Sequence, residues 1–304
     1  MATWQAYLAA WILRRRLKPR LARAKDVSHS RKLMTPAPFK VPRDVRITSA
    51  TAGGIRGEWV ETDRRNSGVL LYLHGGGYIA MSPETHRPIT SAFARQGFRV
   101  FAPDYRLAPE HRFPAAIDDA AACYRDLLSR ETDPQSLVIA GDSAGGGLSL
   151  SLLLSLRDAG TPLPSGCVLF SPWTDLAVTG ASIRSNDRRC ALFFGDTIVS
   201  AAPHYLGSAD PKNPLASPLY ADLSQLPPLL VHVGENEVLL DDSPRLAERA
   251  LAAGTSATLQ IWPVVPHDWQ LAPMIPEAGQ SLHEAGDFLR QAIAQRRTMA
   301  ASLP

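Results

Sequence analysis

The 304-residue sequence is short of cysteine, of charge imbalance and of long apolar runs, and each shortage narrows what the protein can be. The three cysteines, Cys123, Cys167 and Cys190, are an odd number, widely spaced and set in apolar stretches. They form neither a disulfide framework nor a zinc spacing, so buried reduced thiols, no metal and a cytoplasmic location are expected. A formal net charge of +3 is too slight to predict a nucleic-acid partner, and no aromatic-interleaved basic stripe suggests one. No apolar run approaches the length of a bilayer span, so no integral membrane segment is expected. The arginines at 14–16 follow the apolar residues Trp4–Ile12, the reverse of a secretory leader, and no cleavage site is evident. Repeats and low-complexity tracts are also missing. The remainder, 45% hydrophobic and 20% charged, is an ordinary globular composition.

Two stretches stand out in it. Leu137, Val138, Ile139 and Ala140 form a buried-strand run, Gly141-Asp142-Ser143-Ala144-Gly145 follows at once, and Leu148, Leu150 and Leu152–Leu154 open an apolar helix. Strand, G-x-S-x-G and helix together are a nucleophile elbow, a turn tight enough to need small residues beside the serine. The elbow lifts Ser143 Oγ out of the sheet and aims the Ala144 N–H where an oxyanion would form. The second stretch, Val69–Leu73, leads into His74-Gly75-Gly76-Gly77-Tyr78. Three glycines after a strand cost backbone entropy, and backbone N–H groups offered to a developing negative charge would account for them. Gly75, Gly76 and Ala144 are the expected donors.

Strands are expected around 45–48, 55–60, 69–73, 99–102, 137–140, 167–170, 229–233 and 259–262. Helices are expected at 86–96, 113–128, after the elbow and at 276–296. Such alternation predicts an α/β fold with a largely parallel sheet covered on both faces. Residues 176–226 break it with polar turns, an apolar segment and proline-rich loops.

The chain resembles the hormone-sensitive-lipase-like carboxylesterases, the bacterial family IV esterases of the α/β-hydrolase superfamily. The resemblance is carried by His74-Gly75-Gly76-Gly77, Asp104–Glu110, Gly141-Asp142-Ser143-Ala144-Gly145-Gly146 and Ser171-Pro172-Trp173, and runs from about residue 40 to about 295. It implies an α/β-hydrolase fold: N-terminal cap helices and lead-in at 1–43, core at 44–175, cap insertion and loops at 176–226, and core again at 227–304. Trp4, Tyr7, Leu8, Trp11 and Ile12 recur at helical spacing with arginines after them. They read as a cap helix over the site or as a basic amphipathic helix for a membrane surface, and the resemblance favours the cap.

A serine hydroxyl needs a general base, and the base needs a carboxylate to orient it. In this fold the order is Ser, acid, His, each in a loop after a strand. His267, after the strand at 258–262, fits that order better than the other seven histidines. It sits in His267-Asp268-Trp269 where the family usually has His-Gly-Phe. The family's Asp-Pro-Leu-x-Asp, laid on the loop after 229–233, puts Glu237 at the catalytic position and Asp241 at the second acid. Asp241 stays open as the rival, with Glu235 and Asp242 behind it. Asp142, Tyr78 and Trp173 are candidates for substrate contact, with anchoring of the elbow as the alternative for Asp142 and core packing as the alternative for Trp173. Asp104, Arg106 and Glu110 are expected to form a charge network supporting the glycine loop.

The expected activity is hydrolysis of short- to medium-chain carboxylic esters, a small-molecule substrate, through an acyl-enzyme on Ser143 and without a cofactor. Acyl transfer through the same triad is an alternative. A non-catalytic receptor is another, although the similar gibberellin receptors lack the histidine present here as His267. Homodimers pairing through the sheet edge are frequent in the family and are carried as an expectation.

Overall fold

The computed structural model describes residues 2–35, 38–64, 67–130 and 133–301. Eight strands form one sheet: β1 (Arg46–Ala52), β2 (Ile55–Glu61), β3 (Val69–Leu73), β4 (Arg99–Pro103), β5 (Leu137–Asp142), β6 (Cys167–Phe170), β7 (Leu229–Gly234) and β8 (Ala257–Trp262). Their order is β1-β2-β4-β3-β5-β6-β7-β8. β2 pairs antiparallel with β1 and β4, and every pairing from β4 to β8 is parallel. The central strands β3, β5, β6 and β7 are buried on both faces, which is why they read as unbroken apolar runs.

Ten helices complete the described chain: α1 (Trp4–Arg16), α2 (Lys18–Ala22), α3 (Val27–Met34), α4 (Arg87–Arg95), α5 (Ala115–Arg130), α6 (Ser143–Asp158), α7 (Ser182–Ser185), α8 (Gly195–Leu206), α9 (Asp242–Ala252) and α10 (Pro276–Ala301). Alternate strand residues face opposite sides. Leu71, Leu73, Ile139 and Leu169 pack with α5, α6 and α9. Leu70, Tyr72, Val138 and Phe170 pack with Ile89 and Phe93 of α4 and Leu282 and Leu289 of α10. α9 has no counterpart among the expected elements. Only Leu246, Ala247 and Ala250 of its apolar residues are buried, too few and too small to stand out in sequence. Within 176–226 two helices form, α7 and α8; Ile198 and Val199 lie in α8, whereas Leu192–Phe194 precede it without helical structure.

The parallel register aligns Leu73 with Gly141, Asp142 with Phe170 and Gly234 with Trp262. The carboxyl ends of β3, β5, β7 and β8 therefore open at one edge of the sheet, where ligands of open α/β sheets bind.

Candidate active site

Ser143 opens α6 directly after β5 with φ of 51°, a left-handed conformation that a non-glycine residue holds only under constraint. The constraint is close packing: a Cβ on Gly145 would lie 2.0 Å from the Leu73 carbonyl oxygen, so α6 can press against β3 only with glycine there. Ala144 falls in the first turn of α6, where backbone N–H groups have no intrahelical acceptor.

His267 follows β8 and is buried. Its Nε2 lies 2.9 Å from Ser143 Oγ and its Nδ1 2.5 Å from Glu237 Oε2. The other Glu237 oxygen accepts the Gly234 N–H at 2.6 Å and the Ser171 hydroxyl at 2.7 Å, so this carboxylate is held from three sides. The rival acids are occupied elsewhere. Asp241 accepts the Ser182 N–H of α7, Glu235 accepts the Val264 N–H, and Asp242 accepts those of Thr174 and Asp175. Ser171, part of the Ser-Pro-Trp stretch, is a support for Glu237 that its own sequence context does not signal.

A second carboxylate stands at the other ring nitrogen. Asp268 has φ of 52°, and this left-handed turn folds its side chain back so that Oδ2 lies 3.1 Å from His267 Nε2. Its Oδ1 is buried without a hydrogen-bond partner. Burial pushes the Asp268 carboxyl above its ordinary value, against the pull of His267. Burial alone would lower the His267 pKa, but the charges and hydrogen bonds of Asp268 and Glu237 outweigh it and hold the ring well above its ordinary value. The Phe193 ring meets His267 edge-on at 5.3 Å and borders the cavity.

The glycine loop departs from expectation at its first member. The Gly75 N–H donates to Asp142 Oδ2 at 3.1 Å with His86 Nε2 also in reach at 3.3 Å, so it is spent inside the protein and does not face the site. Gly76 and Gly77 border the cavity instead. Gly76 has φ of 115°, and a Cβ there would lie 2.1 Å from the Ala80 carbonyl oxygen.

Asp142 and Tyr78 are likewise corrected from substrate contacts to scaffold. The fully buried Asp142 carboxylate accepts the Tyr72 hydroxyl at 2.5 Å and pairs with His86 at 3.1 Å. Burial disfavours both charges, yet mutual attraction lowers the Asp142 pKa and raises that of His86. Tyr78 turns into the core and stacks on Tyr205 at 3.7 Å. Trp173 is buried but does contribute to the cavity wall.

Asp104, Arg106 and Glu110 do not form one network. Arg106 pairs with Asp119 of α5, Glu110 pairs with Arg31 of α3, and Asp104 is exposed. Beneath the loop, His74 stacks on Tyr105 at 4.2 Å, and the Tyr105 hydroxyl donates to the His74 carbonyl at 2.6 Å. Burial lowers the His74 pKa to about 3, so this ring is neutral packing.

The cavity over Ser143 and His267 measures about 1720 Å³. Leu13, Leu17 and Leu21 of the N-terminal helices, Ile198 of α8, and Met274 help to wall it. Among the described residues no group of three or more His, Cys, Asp or Glu is placed to hold a metal ion.

The family model for the alpha/beta hydrolase fold matches residues 70–271. An acetyl-hydrolase of Streptomyces hygroscopicus is 46% identical over 247 residues, covering 81% of this chain and 83% of that protein. An esterase of Acinetobacter venetianus is 36% identical, covering 80% and 82%. Among solved structures, EstE5 soaked with p-nitrophenyl butyrate superposes with a TM-score of 0.92 at 40% identity, covering 96% of this chain and all of that one. An esterase from the bacterial hormone-sensitive lipase family gives 0.89 at 41% identity, with the same coverage.

Proposed function

The chain belongs to the hormone-sensitive-lipase-like carboxylesterases of the α/β-hydrolase superfamily and is a carboxylic ester hydrolase, and from that premise we propose that it works through a Ser143–His267–Glu237 triad. The observation that carries the reading is His267 itself, bridging Ser143 at 2.9 Å and Glu237 at 2.5 Å through its two ring nitrogens. Ser143 Oγ attacks the ester carbonyl while His267 Nε2 takes its proton. Glu237 holds the ring in the tautomer that leaves Nε2 free to accept, then steadies the imidazolium.

The tetrahedral oxyanion is received by the N–H groups of Gly76, Gly77 and Ala144, each such donor contributing about 3–4 kcal/mol to barrier lowering. The imidazolium returns its proton to the departing alcohol. Water then repeats the sequence on the acyl-enzyme, with the serine oxygen as leaving group.

Residues 1–43 and 176–226 act as the cap, and the apolar side chains of Leu17, Leu21 and Ile198 support an acyl chain of short to medium length. The three buried, unpaired thiols support a cytoplasmic setting. The outermost strand β8, with Ile261 half exposed, supports pairing of two copies along that edge.

The test is hydrolysis of p-nitrophenyl esters from acetate to palmitate by the wild type and Ser143→Ala. Turnover of short and medium chains that disappears in the variant is the expected result. A Ser143→Ala protein that keeps its activity would sink the triad.

A further inference from the structure

From Trp4 to Leu13 helix α1 is apolar nearly all the way round, yet only one side of it is packed. Ala6 and Ala10 are buried against the protein, and Leu13 faces the catalytic cavity. Trp4, Tyr7, Leu8, Trp11 and Ile12 are 44–70% exposed. At 100° per residue these five side chains span an arc of about 140°, a continuous aromatic and aliphatic face turned to solvent. They are half of the ten large hydrophobic side chains exposed among the described residues, gathered within nine positions.

The face is rigidly presented. The Thr3 N–H and hydroxyl both donate to the Glu277 carboxylate, and the Arg14 guanidinium donates to the Arg189 carbonyl. Just beyond, Lys18 Nζ is buried and donates to the Asp187 and Cys190 carbonyls. These contacts fix the helix by its inner side, and its outer side stays exposed among the described residues.

Charge says what would cover it. The first 25 residues hold seven of the 32 Lys and Arg and none of the 29 Asp and Glu, leaving the rest of the chain at 25 against 29, a net −4. Six of those seven cations, Arg14, Arg15, Arg16, Arg20, Arg23 and Lys25, are exposed. Arg15 lies over the Trp11 ring at the end of the apolar face. Tryptophan and tyrosine favour the boundary between hydrocarbon and headgroups, and a row of arginines beside them answers anionic phosphate. A second copy of the same face would bring its own arginines and no carboxylate to meet them.

We propose that the outer face of α1 docks the protein on an anionic lipid surface. The helix lies in the headgroup plane, Trp4, Tyr7, Leu8, Trp11 and Ile12 enter the acyl boundary, and the arginines bind lipid phosphates. Because the inner side of α1 and the following Leu17 and Leu21 wall the cavity, docking sets the catalytic site next to the bilayer. Apolar esters dissolved in the lipid are then the substrates nearest to it. This last step rests on the esterase reading, whereas the docking itself does not.

The experiment is flotation of the full chain with vesicles of phosphatidylcholine alone, and of phosphatidylcholine and phosphatidylglycerol in equal parts. The Trp4→Ser/Trp11→Ser and Arg15→Glu/Arg16→Glu variants are run beside the wild type. Circular dichroism and p-nitrophenyl acetate turnover in solution check that the variants are folded. The wild type is expected to float with the anionic vesicles, its tryptophan emission shifting to the blue, and to release as salt rises. Each double variant should bind at least about tenfold more weakly. Wild type that stays in the soluble fraction with both vesicles, or variants that bind as it does, would overturn the proposal. A dimer in solution that Trp4→Ser/Trp11→Ser dissolves, with no vesicle binding, would overturn it in favour of self-association. A chain that floats yet hydrolyses no ester would leave the docking standing and remove the esterase reading.

Discussion

Asp268 Oδ2 lies 3.1 Å from His267 Nε2, the nitrogen that takes the proton of Ser143 in the proposed mechanism. A negative charge beside Nε2 favours the imidazolium, and together with Glu237 it keeps the ring protonated above the ordinary histidine range despite burial. The base is active only when neutral, so kcat/KM should climb as pH rises through that elevated value. Asp268→Asn removes one stabilising charge and lowers the pKa of the ring. The acidic limb of the kcat/KM profile for p-nitrophenyl acetate should move to lower pH. A limb that stays in place would mean that Asp268 does not set the protonation of the base.

Glu237→Gln should leave the protein folded and lower kcat by about 10³–10⁴, because an amide no longer enforces the tautomer that frees Nε2. Asp241→Asn is the control. Asp241 accepts the Ser182 N–H rather than the His267 ring, so kcat on p-nitrophenyl butyrate should stay close to wild type. Reversal of the two results would reassign the acid.

Asp142→Ala leaves the Tyr72 hydroxyl, the Gly75 N–H and the His86 ring without their shared buried partner. Loss of about 3–5 kcal/mol in urea unfolding is expected. The sign of its pH dependence follows from both shifts. His86, raised in the folded state, contributes fully below its unfolded value and loses that contribution as pH rises through the folded one. Asp142, lowered, contributes fully above its unfolded value and loses it as pH falls. The gap between wild type and variant should therefore be widest between about pH 4 and 6.5 and narrow on either side. A gap independent of pH would show that the pair is not charged.

Lys18→Met tests the tie between α2 and the segment at 187–194. It removes the Nζ bonds to the Asp187 and Cys190 carbonyls and the contact with the Phe194 ring at 4.0 Å. A loss of about 1–3 kcal/mol and faster trypsin cleavage after Arg188 and Arg189 are expected. Cleavage at the wild-type rate would mean that the segment is held by other contacts.

Much of the site was legible because its chemistry demands local patterns. The elbow at Gly141–Gly145 has to follow a buried strand and open a helix, and both neighbours can be read within a dozen residues. The residues of the proposed triad were already candidates, His267 by its place after the last strand and Glu237 by the resemblance of its loop to the family pattern. The parallel strands announced themselves as short apolar runs, while α9, with a narrow buried stripe, did not.

What only the tertiary structure decided are relations between residues far apart, or backbone angles that composition does not signal. Gly75 resembles its two neighbours in sequence, but Asp142, brought beside it by β3–β5 pairing, takes its N–H. Tyr78 is next to the glycine loop and yet packs on Tyr205 of α8, because its own left-handed turn sends the ring inward. Asp268 reaches Nε2 only through a comparable turn. For α1 the apolar spacing was visible, but a helix apolar on all sides does not say which side is packed. The small side chains Ala6 and Ala10 allow close approach, so the fold buries them and leaves the larger ones outside. Residue type and short-range spacing thus determined most of the strands, the elbow and the place of His267 after the last strand, since these depend on neighbours along the chain. Donor direction, ring placement and the exposed face depended on partners that only folding brings together.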